Sequence, residues 1–279
     1  MAASGPIALF DSGEGGLTVL RQLAVNFPGE QFLYAADSAH FPYGEKTLDQ
    51  VRAWFLRFLD FFERQHARAV VIACNTATAA ALDEAQRLAS VPVLGVVTPA
   101  AERAAAVTRN GRIAVLSTEA TYRSGLYPAQ LRTINPDLAI VAKPCPILVV
   151  MAENGQVAGK DVEDEVRQCV LPILDTGVDT VILGCTHFPH MRQVFNRVVA
   201  SRARIVDPGE EIARRLSHVA SPATKATPQV EAWTTGDPDR FSEIAHRLCP
   251  DLPISTRALR WKQGSLEMLR QSSLDTTPD

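Results

Sequence analysis

Two stretches of this sequence look alike: VVIACNTATAAAL, residues 70–82, and DTVILGCTHFPHM, residues 179–191. Each starts as a run of β-branched apolar residues, reaches one cysteine, and continues through a threonine into a segment with a helical pattern. Short β-branched runs of this kind are typical of buried strands. The sequence therefore predicts a strand that ends in a thiol in each half of the chain, at Cys74 and at Cys185.

Short apolar runs alternate with longer amphipathic segments along the rest of the chain. Strands are predicted at residues 7–10, 31–35, 69–73, 93–96, 113–116, 138–141, 180–183 and 204–206, and helices at 17–26, 48–66, 78–89, 122–131, 160–174, 191–199 and 211–218. Regular alternation of strand and helix predicts an α/β protein with mostly parallel sheets and helices on their faces.

The same pattern restarts in the second half, which indicates a duplicated α/β unit. Ile7 and Ile113 are separated by nearly the same length of chain as Cys74 and Cys185. After residue 210 the sequence predicts, besides the helix at 211–218, a short strand near 230–234, a helix at 238–248 and a last apolar patch near 252–259. This is too little for a third domain, so we expect this segment to return to the first. The predicted domains are residues 1–97 together with 211–279, and residues 98–210.

Composition and charge restrict the class of function. The chain has 279 residues, of which 46% are hydrophobic and 21% charged, as in ordinary globular proteins. A net charge of −3 and a pI near 6.1 argue against nucleic acid or anionic lipid as a partner. No apolar run approaches the roughly 20 residues that a membrane helix needs, and the start does not read as a signal peptide. We therefore expect a cytoplasmic protein with no membrane partner.

The five cysteines are widely spaced and include no CxxC pair, so neither a structural zinc site nor a thioredoxin motif is indicated. In a reducing compartment we expect no disulfide bonds. Cys145, Cys169 and Cys249 are accordingly interpreted as small buried apolar residues.

Small polar residues follow four of the predicted strands. They are Asp11-Ser12-Gly13, Cys74-Asn75-Thr76, Ser117-Thr118-Glu119 with Thr121, and Cys185-Thr186-His187. Ligands of parallel α/β sheets bind at the carboxyl ends of the strands, where hydroxyl groups and helix N-termini suit a carboxylate. Helix capping explains any one of these clusters. Four that converge, two of them with a thiol, favour a shared binding site.

Two thiols that face each other can act as base on one side of a carbon and as acid on the other. A helix N-terminus favours the thiolate form of a nearby cysteine. Asp11 is a candidate to orient or deprotonate one thiol, and His187 lies two residues from the other. The loop that contains Tyr43 and Gly44 adds a ring and a point at which a ligand can approach the backbone closely.

No cofactor or metal is indicated by the motifs. Gly13, Gly15 and Gly16 lack the spacing of a dinucleotide fingerprint, and there is no P-loop. A pyridoxal enzyme needs a Schiff-base lysine, and none of the lysines lies at a strand end among the polar clusters.

Several motifs together resemble those of one family. They occur in order between about residue 7 and residue 190, and they are IALFDSGEGGLTVL, YAADSAHFPYGEKT, VVIACNTATAAAL, VPVLGVVTPA, IAVLSTEATYRSGLY, CPILVVMAENG and DTVILGCTHFPHM. Through them the chain resembles the glutamate racemases of the aspartate/glutamate racemase superfamily. This resemblance implies two pseudo-symmetric α/β domains with the active site in the cleft between them. It also implies cofactor-independent interconversion of L- and D-glutamate, which supplies D-glutamate for peptidoglycan and so serves cell wall biogenesis and cell shape.

The resemblance also implies the roles of single residues. Cys74 and Cys185 are the two catalytic acid/bases, with Cys74 acting on D-glutamate and Cys185 on L-glutamate, while Asp11 assists the first and His187 the second. The substrate-binding positions are Asp11, Ser12, Tyr43, Gly44, Asn75, Thr76, Thr186 and His187, with Glu153 as an acidic residue near the second thiol; the third strand-end cluster adds Thr118 and Thr121. Glu14 departs from the family, which usually has an apolar residue there, and it adds a carboxylate near a site for an acidic substrate.

Other interpretations remain open. The substrate can be aspartate or another acidic amino acid, because the sequence sets the length of the pocket poorly. A hydrolase that uses Cys185 with His187 is a second class, although it leaves Cys74 and the duplication unexplained. A non-enzymatic binding role is a third, and some relatives inhibit DNA gyrase, which the charge pattern does not test. A homodimer is common in the family, but the sequence does not reveal the oligomeric state.

Overall fold

Two separate sheets, each covered by helices, form the core of the protein in a computed structural model that describes residues 5–217 and 228–269. Seven strands form the larger sheet: β1 Ile7–Asp11, β2 Gln31–Ala36, β3 Ala69–Ile72, β4 Val93–Gly95, β9 Gln229–Thr234, β10 Ile254–Lys262 and β11 Ser265–Met268. Four form the smaller sheet: β5 Arg112–Ser117, β6 Ala139–Pro144, β7 Thr180–Gly184 and β8 Arg204–Val206. All strand pairs are parallel except β10 with β11.

Helices follow most of these strands. They are α1 Leu17–Asn26, α2 Leu48–Arg64, α3 Asn75–Leu88, α4 Val97–Val107, α5 Glu119–Ser124, α6 Leu126–Ile134, α7 Pro146–Glu153, α8 Lys160–Leu174, α9 Arg192–Val199, α10 Pro208–Leu216 and α11 Pro238–Leu248. Short 3-10 turns lie at Ser38–His40, Tyr43–Glu45 and Phe188–Met191. Within the described residues, no helix is both long and apolar enough to cross a membrane.

The two halves of the chain repeat one strand order. The larger sheet contains the run β2-β1-β3-β4, and the smaller sheet is β6-β5-β7-β8. Cys74 follows β3 and Cys185 follows β7, so the two thiols come after equivalent strands at the carboxyl edges of their sheets. The predicted fold class, two pseudo-symmetric α/β units with parallel sheets, is confirmed.

The C-terminal segment adds strands to the larger sheet. Strand β9 pairs in parallel with β2, Gln229 opposite Gln31, and β10 pairs with β9. The sequence-based domain limits, at residues 97/98 and 210/211, each fall inside a helix, α4 and α10. These limits stay a prediction, which the membership of the strands in the two sheets supports.

Local sequence determines where helix α2 begins, directly after the loop that contains Tyr43. Thr47 Oγ1 accepts from the Gln50 N–H at 3.2 Å, and Gln50 Oε1 accepts from the Thr47 N–H at 3.1 Å, which is a capping box. One face of the helix, including Phe55 and Phe58, is fully buried against Phe10 of β1. The helix therefore fixes the loop that precedes it, from Phe41 to Lys46, against the larger sheet.

Several helices begin or end at residues other than those predicted from the sequence. The predicted helix 122–131 is two helices, because Gly125 adopts a left-handed conformation with φ of 65° that suits glycine. The helix predicted at 78–89 begins at Asn75, so the polar residues after Cys74 lie in its first turn. Helices α4 and α7 and strand β11 had no predicted counterpart. The predicted helix 211–218 begins at Pro208 instead, and its last residue lies outside the described residues.

The expectation that the chain has no disulfide bond is wrong. Cys145 at the start of α7 is bonded to Cys169 of α8, with the two Cα atoms 6.3 Å apart. Cys145, Cys169 and Cys249 are all buried, as predicted, but of these three only Cys249, which packs among the side chains around α1 and α11, is a free thiol. The contact was not visible from spacing, because it depends on how α8 packs beside the end of β6.

We expect this disulfide to be measurable by thiol counting. The unfolded, unreduced chain should react at three free thiols, Cys74, Cys185 and Cys249, and at five after reduction. A bond that closes a 24-residue separation should raise the free energy of unfolding by about 3 kcal/mol, since it restricts the unfolded chain. The double variant Cys145→Ser/Cys169→Ser should lose that stability and become insensitive to reductant. Five free thiols before reduction would contradict the bond.

Candidate active site

A cleft with a cavity of about 70 Å³ lies between the carboxyl edges of the two sheets. The larger-sheet half contributes Ser12, Phe41, Pro42, Tyr43, Gly44, Glu45, Cys74, Asn75 and Thr76, and the smaller-sheet half contributes Thr118, Glu119, Pro146, Val149, Val150, Cys185, Thr186 and His187. The two thiols therefore line one cleft, one from each half.

Cys74 is the N-cap residue of α3. Its Sγ accepts from the Ala77 N–H at 3.4 Å and lies 3.9 Å from Ser12 Oγ. Burial, together with the nearby Asp11 carboxyl, raises the pKa of this thiol far above its ordinary value. The expectation that the helix N-terminus favours the thiolate is thus outweighed, because desolvation of the charged form is the larger effect. Cys74 rests as a thiol at neutral pH.

Cys185 lies beside an imidazole that is paired with a carboxylate. His187 Nδ1 is 3.6 Å from Cys185 Sγ, and His187 Nε2 is 2.5 Å from Glu153 Oε2. Burial lowers the pKa of His187, but the Glu153 charge and the hydrogen bonds outweigh it, so the pKa lies well above its ordinary value. Burial likewise raises the pKa of Glu153, while His187 lowers it to a net value of about 2. The pair is an imidazolium and a carboxylate at neutral pH.

Asp11 ends β1 and is fully buried behind the cleft. Its Oδ1 accepts from the Gly13 N–H and its Oδ2 from the Thr186 hydroxyl, both at 3.1 Å. Burial raises the pKa of Asp11 to about 6, and the opposing charge of His187 limits the rise. Asp11 is therefore ionised above about pH 6, next to the Cys74 side of the cleft.

Hydroxyl and amide groups join the two halves beside the thiols. Thr76 Oγ1 lies 2.9 Å from Thr118 Oγ1 and 3.0 Å from Thr121 Oγ1. The Tyr127 hydroxyl donates to Asn75 Oδ1 at 2.7 Å. Asn75 Nδ2 is buried and has no hydrogen-bond partner within the part of the chain that the structure describes. It is a donor in the cleft that a ligand carboxylate can use.

The loop with Tyr43 is held by the buried carboxylate of Asp37, which follows β2. Tyr43 donates its hydroxyl to Asp37 Oδ2 at 2.6 Å, and the Trp261 indole N–H and the Thr235 hydroxyl donate to Oδ1 at 2.8 and 2.9 Å. Gly44 of this loop faces Thr118, where an added Cβ would stand 3.1 Å from the threonine Cβ. The C-terminal strand β10 thus anchors one wall of the cleft.

The glycines after β1 also serve the site by leaving space. A Cβ at Gly15 would stand within 2.7 Å of the His187 ring, so only glycine lets the imidazole lie against this turn. This agrees with the interpretation of the turn as a tight connection and not a dinucleotide fingerprint.

Ten of the thirteen predicted site residues line the cleft. The three others, Asp11, Thr121 and Glu153, lie behind it and contact lining residues. Seven lining residues were not predicted: Phe41, Pro42, Glu45, Glu119, Pro146, Val149 and Val150. Most of them belong to FPYGE and CPILVVMAENG, two of the stretches that carry the resemblance, and Glu119 lies in one of the four polar clusters. The motifs therefore contained these residues. The apolar ones among them carry no group for catalysis or binding that would have marked them as site residues.

The fold is that of a known family. The model of the Asp/Glu/hydantoin racemase family matches residues 17–216, and the chain belongs to this family. A glutamate racemase of Symbiobacterium thermophilum is 49% identical over 251 residues, which cover 88% of this chain and 91% of that protein.

Solved structures agree with this assignment. A glutamate racemase isoform from Bacillus anthracis superposes with a TM-score of 0.86 at 30% identity, covering 94% of this chain and 99% of that one. A glutamate racemase from Francisella tularensis, in complex with D-glutamate, superposes with a TM-score of 0.82 at 26% identity, covering 92% and 97%. The resemblance to glutamate racemases, and with it the class of amino-acid isomerase, is confirmed.

Proposed function

We propose that this protein interconverts L- and D-glutamate without a cofactor, by proton transfer at Cα between two thiols. The observation that carries the proposal is the position of Cys74 and Cys185, which follow equivalent strands of the two halves and line one cleft from opposite sides. Inversion of a carbon centre needs a base on one face and an acid on the other.

From L-glutamate, the Cys185 thiolate takes the Cα proton and becomes a thiol, while the Cys74 S–H gives its proton to the opposite face and becomes a thiolate. From D-glutamate the roles reverse, so Cys74 has to lose its proton first. Asp11 is then suited to accept the Cys74 proton, because it is ionised above about pH 6 and interacts with that thiol. His187, held as an imidazolium by Glu153, can donate to the Cys185 sulfur.

Substrate binding is supported by uncharged donors. Ser12, Asn75, Thr76, Thr118 and Thr186 line the cleft, Asn75 Nδ2 has no hydrogen-bond partner among the described residues, and Asn75 and Thr76 lie in the first turn of α3. Such groups stabilise a carboxylate without cationic side chains. Glutamate as the substrate is supported by the names of the relatives and by the D-glutamate complex of the Francisella protein.

The assay that tests this function follows the circular dichroism of L- and of D-glutamate with purified protein and no added cofactor. We expect both solutions to converge on zero ellipticity. The rate should be unchanged after dialysis against EDTA, and no absorbance band of bound pyridoxal should appear, since the two thiols supply both the acid and the base. Turnover of aspartate but not glutamate would support the alternative substrate, and dependence on a metal or on pyridoxal would contradict the mechanism.

Other parts of the sequence-based picture stay predictions and belong to this proposal. They are a cytoplasmic location, the supply of D-glutamate for peptidoglycan, and a homodimer. Gyrase inhibition is not part of the proposal.

A further inference from the structure

Glu14 is a buried carboxyl group that the two-thiol reaction does not use. It lies in the turn after β1 and is 7% exposed. Its carboxyl is in hydrogen-bond contact with that of Glu153, and its backbone N–H also interacts with the Glu153 carboxylate. Two carboxyl groups in such contact cannot both be charged without strong repulsion, so they share one proton.

The contact extends a line of polar groups that ends at a thiol. Glu153 Oε2 is 2.5 Å from His187 Nε2, and His187 Nδ1 is 3.6 Å from Cys185 Sγ. Glu153 Oε1 lies against the same turn, since a Cβ at Gly13 would stand 2.5 Å from it. Glu14 therefore contacts the carboxylate that is hydrogen-bonded to His187.

We propose that Glu14 is a positioning residue for the Cys185 side of the reaction. Its protonated carboxyl donates to Glu153, and this bond holds the Glu153 carboxylate on His187 so that Nδ1 points at Cys185. The proposal rests on the proposed racemase function. Glu14 touches neither the cleft nor the reacting atoms, so it acts only through Glu153 and His187.

The charges around Glu14 favour its neutral form. The titratable groups that interact with it are Glu153 of α7, His187 and His190 after β7, and Tyr34 of β2. Burial, followed by the Glu153 contact, raises the pKa of Glu14 to about 9. Burial lowers the pKa of His190 to about 4, so this ring is neutral and provides no compensating charge. A neutral Glu14, the Glu153 anion and the His187 cation sum to zero, and Glu14 adds no charge that would repel an acidic substrate.

The variants Glu14→Gln and Glu14→Val separate the hydrogen bond that Glu14 donates to Glu153 from the packing of its side chain. Glutamine keeps a donor toward Glu153 but cannot ionise, and valine keeps bulk without a donor. NMR of histidine-labelled full-length protein follows the His187 ring, which is assigned by its loss in His187→Asn. In the natural protein we expect His187 to stay protonated through neutral pH and to show a further inflection near pH 9, when Glu14 ionises. Both variants should lack this inflection, whereas the surface control Asp164→Asn should keep it.

Turnover supplies the second measurement. We expect Glu14→Val to lower kcat about 10-fold, because a poorly held His187 is out of position for proton transfer, and Glu14→Gln to stay within about 3-fold of the natural protein. Persistence of the inflection in Glu14→Gln, or natural turnover in Glu14→Val, would overturn the proposal. The NMR measurement needs no substrate, so absence of glutamate racemisation with an intact inflection would count against the proposed function alone.

Discussion

Replacement of either Cys74 or Cys185 by alanine should lower kcat for racemisation by at least about 10³-fold while the fold is retained, because each thiol serves one face of the substrate carbon. Loss of either interrupts the proton path in both directions. The two variants should differ in deuterium oxide. Cys74→Ala keeps the thiol that acts on L-glutamate and should exchange the α-proton of that enantiomer alone, whereas Cys185→Ala should exchange that of D-glutamate alone.

Cys249→Ala is the matched control, since Cys249 is also a free buried thiol but lies away from the cleft. It should racemise glutamate at the natural rate. Near-normal turnover in either cleft variant would contradict the two-thiol mechanism. Exchange of the same enantiomer by both variants would contradict the assignment of thiols to faces.

Asp11→Asn and His187→Asn should each lower kcat by about 10²-fold, because each removes a group that moves or holds the proton of one thiol. The ratio of forward to reverse efficiency cannot change, since it is fixed by the equilibrium between the enantiomers. The primary isotope effect can change with direction. Asp11→Asn should raise it mainly from D-glutamate, and His187→Asn mainly from L-glutamate.

The pH profile provides a second check on Asp11. Its pKa of about 6 means that the carboxylate is present above that pH and lost below it, so kcat/KM should fall in both directions as the pH drops through 6, because the ratio of the two efficiencies is fixed. The acid limb should disappear in Asp11→Asn. Equal isotope effects of both variants from both enantiomers would show that the partners are not divided between the faces.

The sequence predicted the sheets well because buried parallel strands leave a simple signal. The β-branched runs before Cys74 and Cys185 became β3 and β7, and the polar residues after them met in the cleft because parallel strands end at the same edge. Helix α7 was missed because Ile147 and Val150 are half exposed, so its apolar run lacks a clear helical face.

The charge states of the site were harder to predict because they depend on contacts between distant residues. The sequence indicated a helix N-terminus at Cys74, but not the burial that outweighs it. Likewise, Glu14 looked like an added negative charge, but burial, followed by its contact with Glu153, raises its pKa to about 9. The disulfide between Cys145 and Cys169 was missed for the same reason, since it depends on packing between helices.

In the proposed mechanism, a turnover from L- to D-glutamate leaves the free chain with its exchangeable proton on Cys185 and not on Cys74. The chain therefore leaves each reaction in the form that accepts the product, and it must reset before it takes another molecule of the starting enantiomer. The unlike partners of the thiols, a single carboxylate near Cys74 and an imidazolium–carboxylate pair beside Cys185, make the two forms unequal in energy. If the proposed mechanism holds, we expect this reset to slow turnover at high substrate concentration more strongly in one direction than in the other.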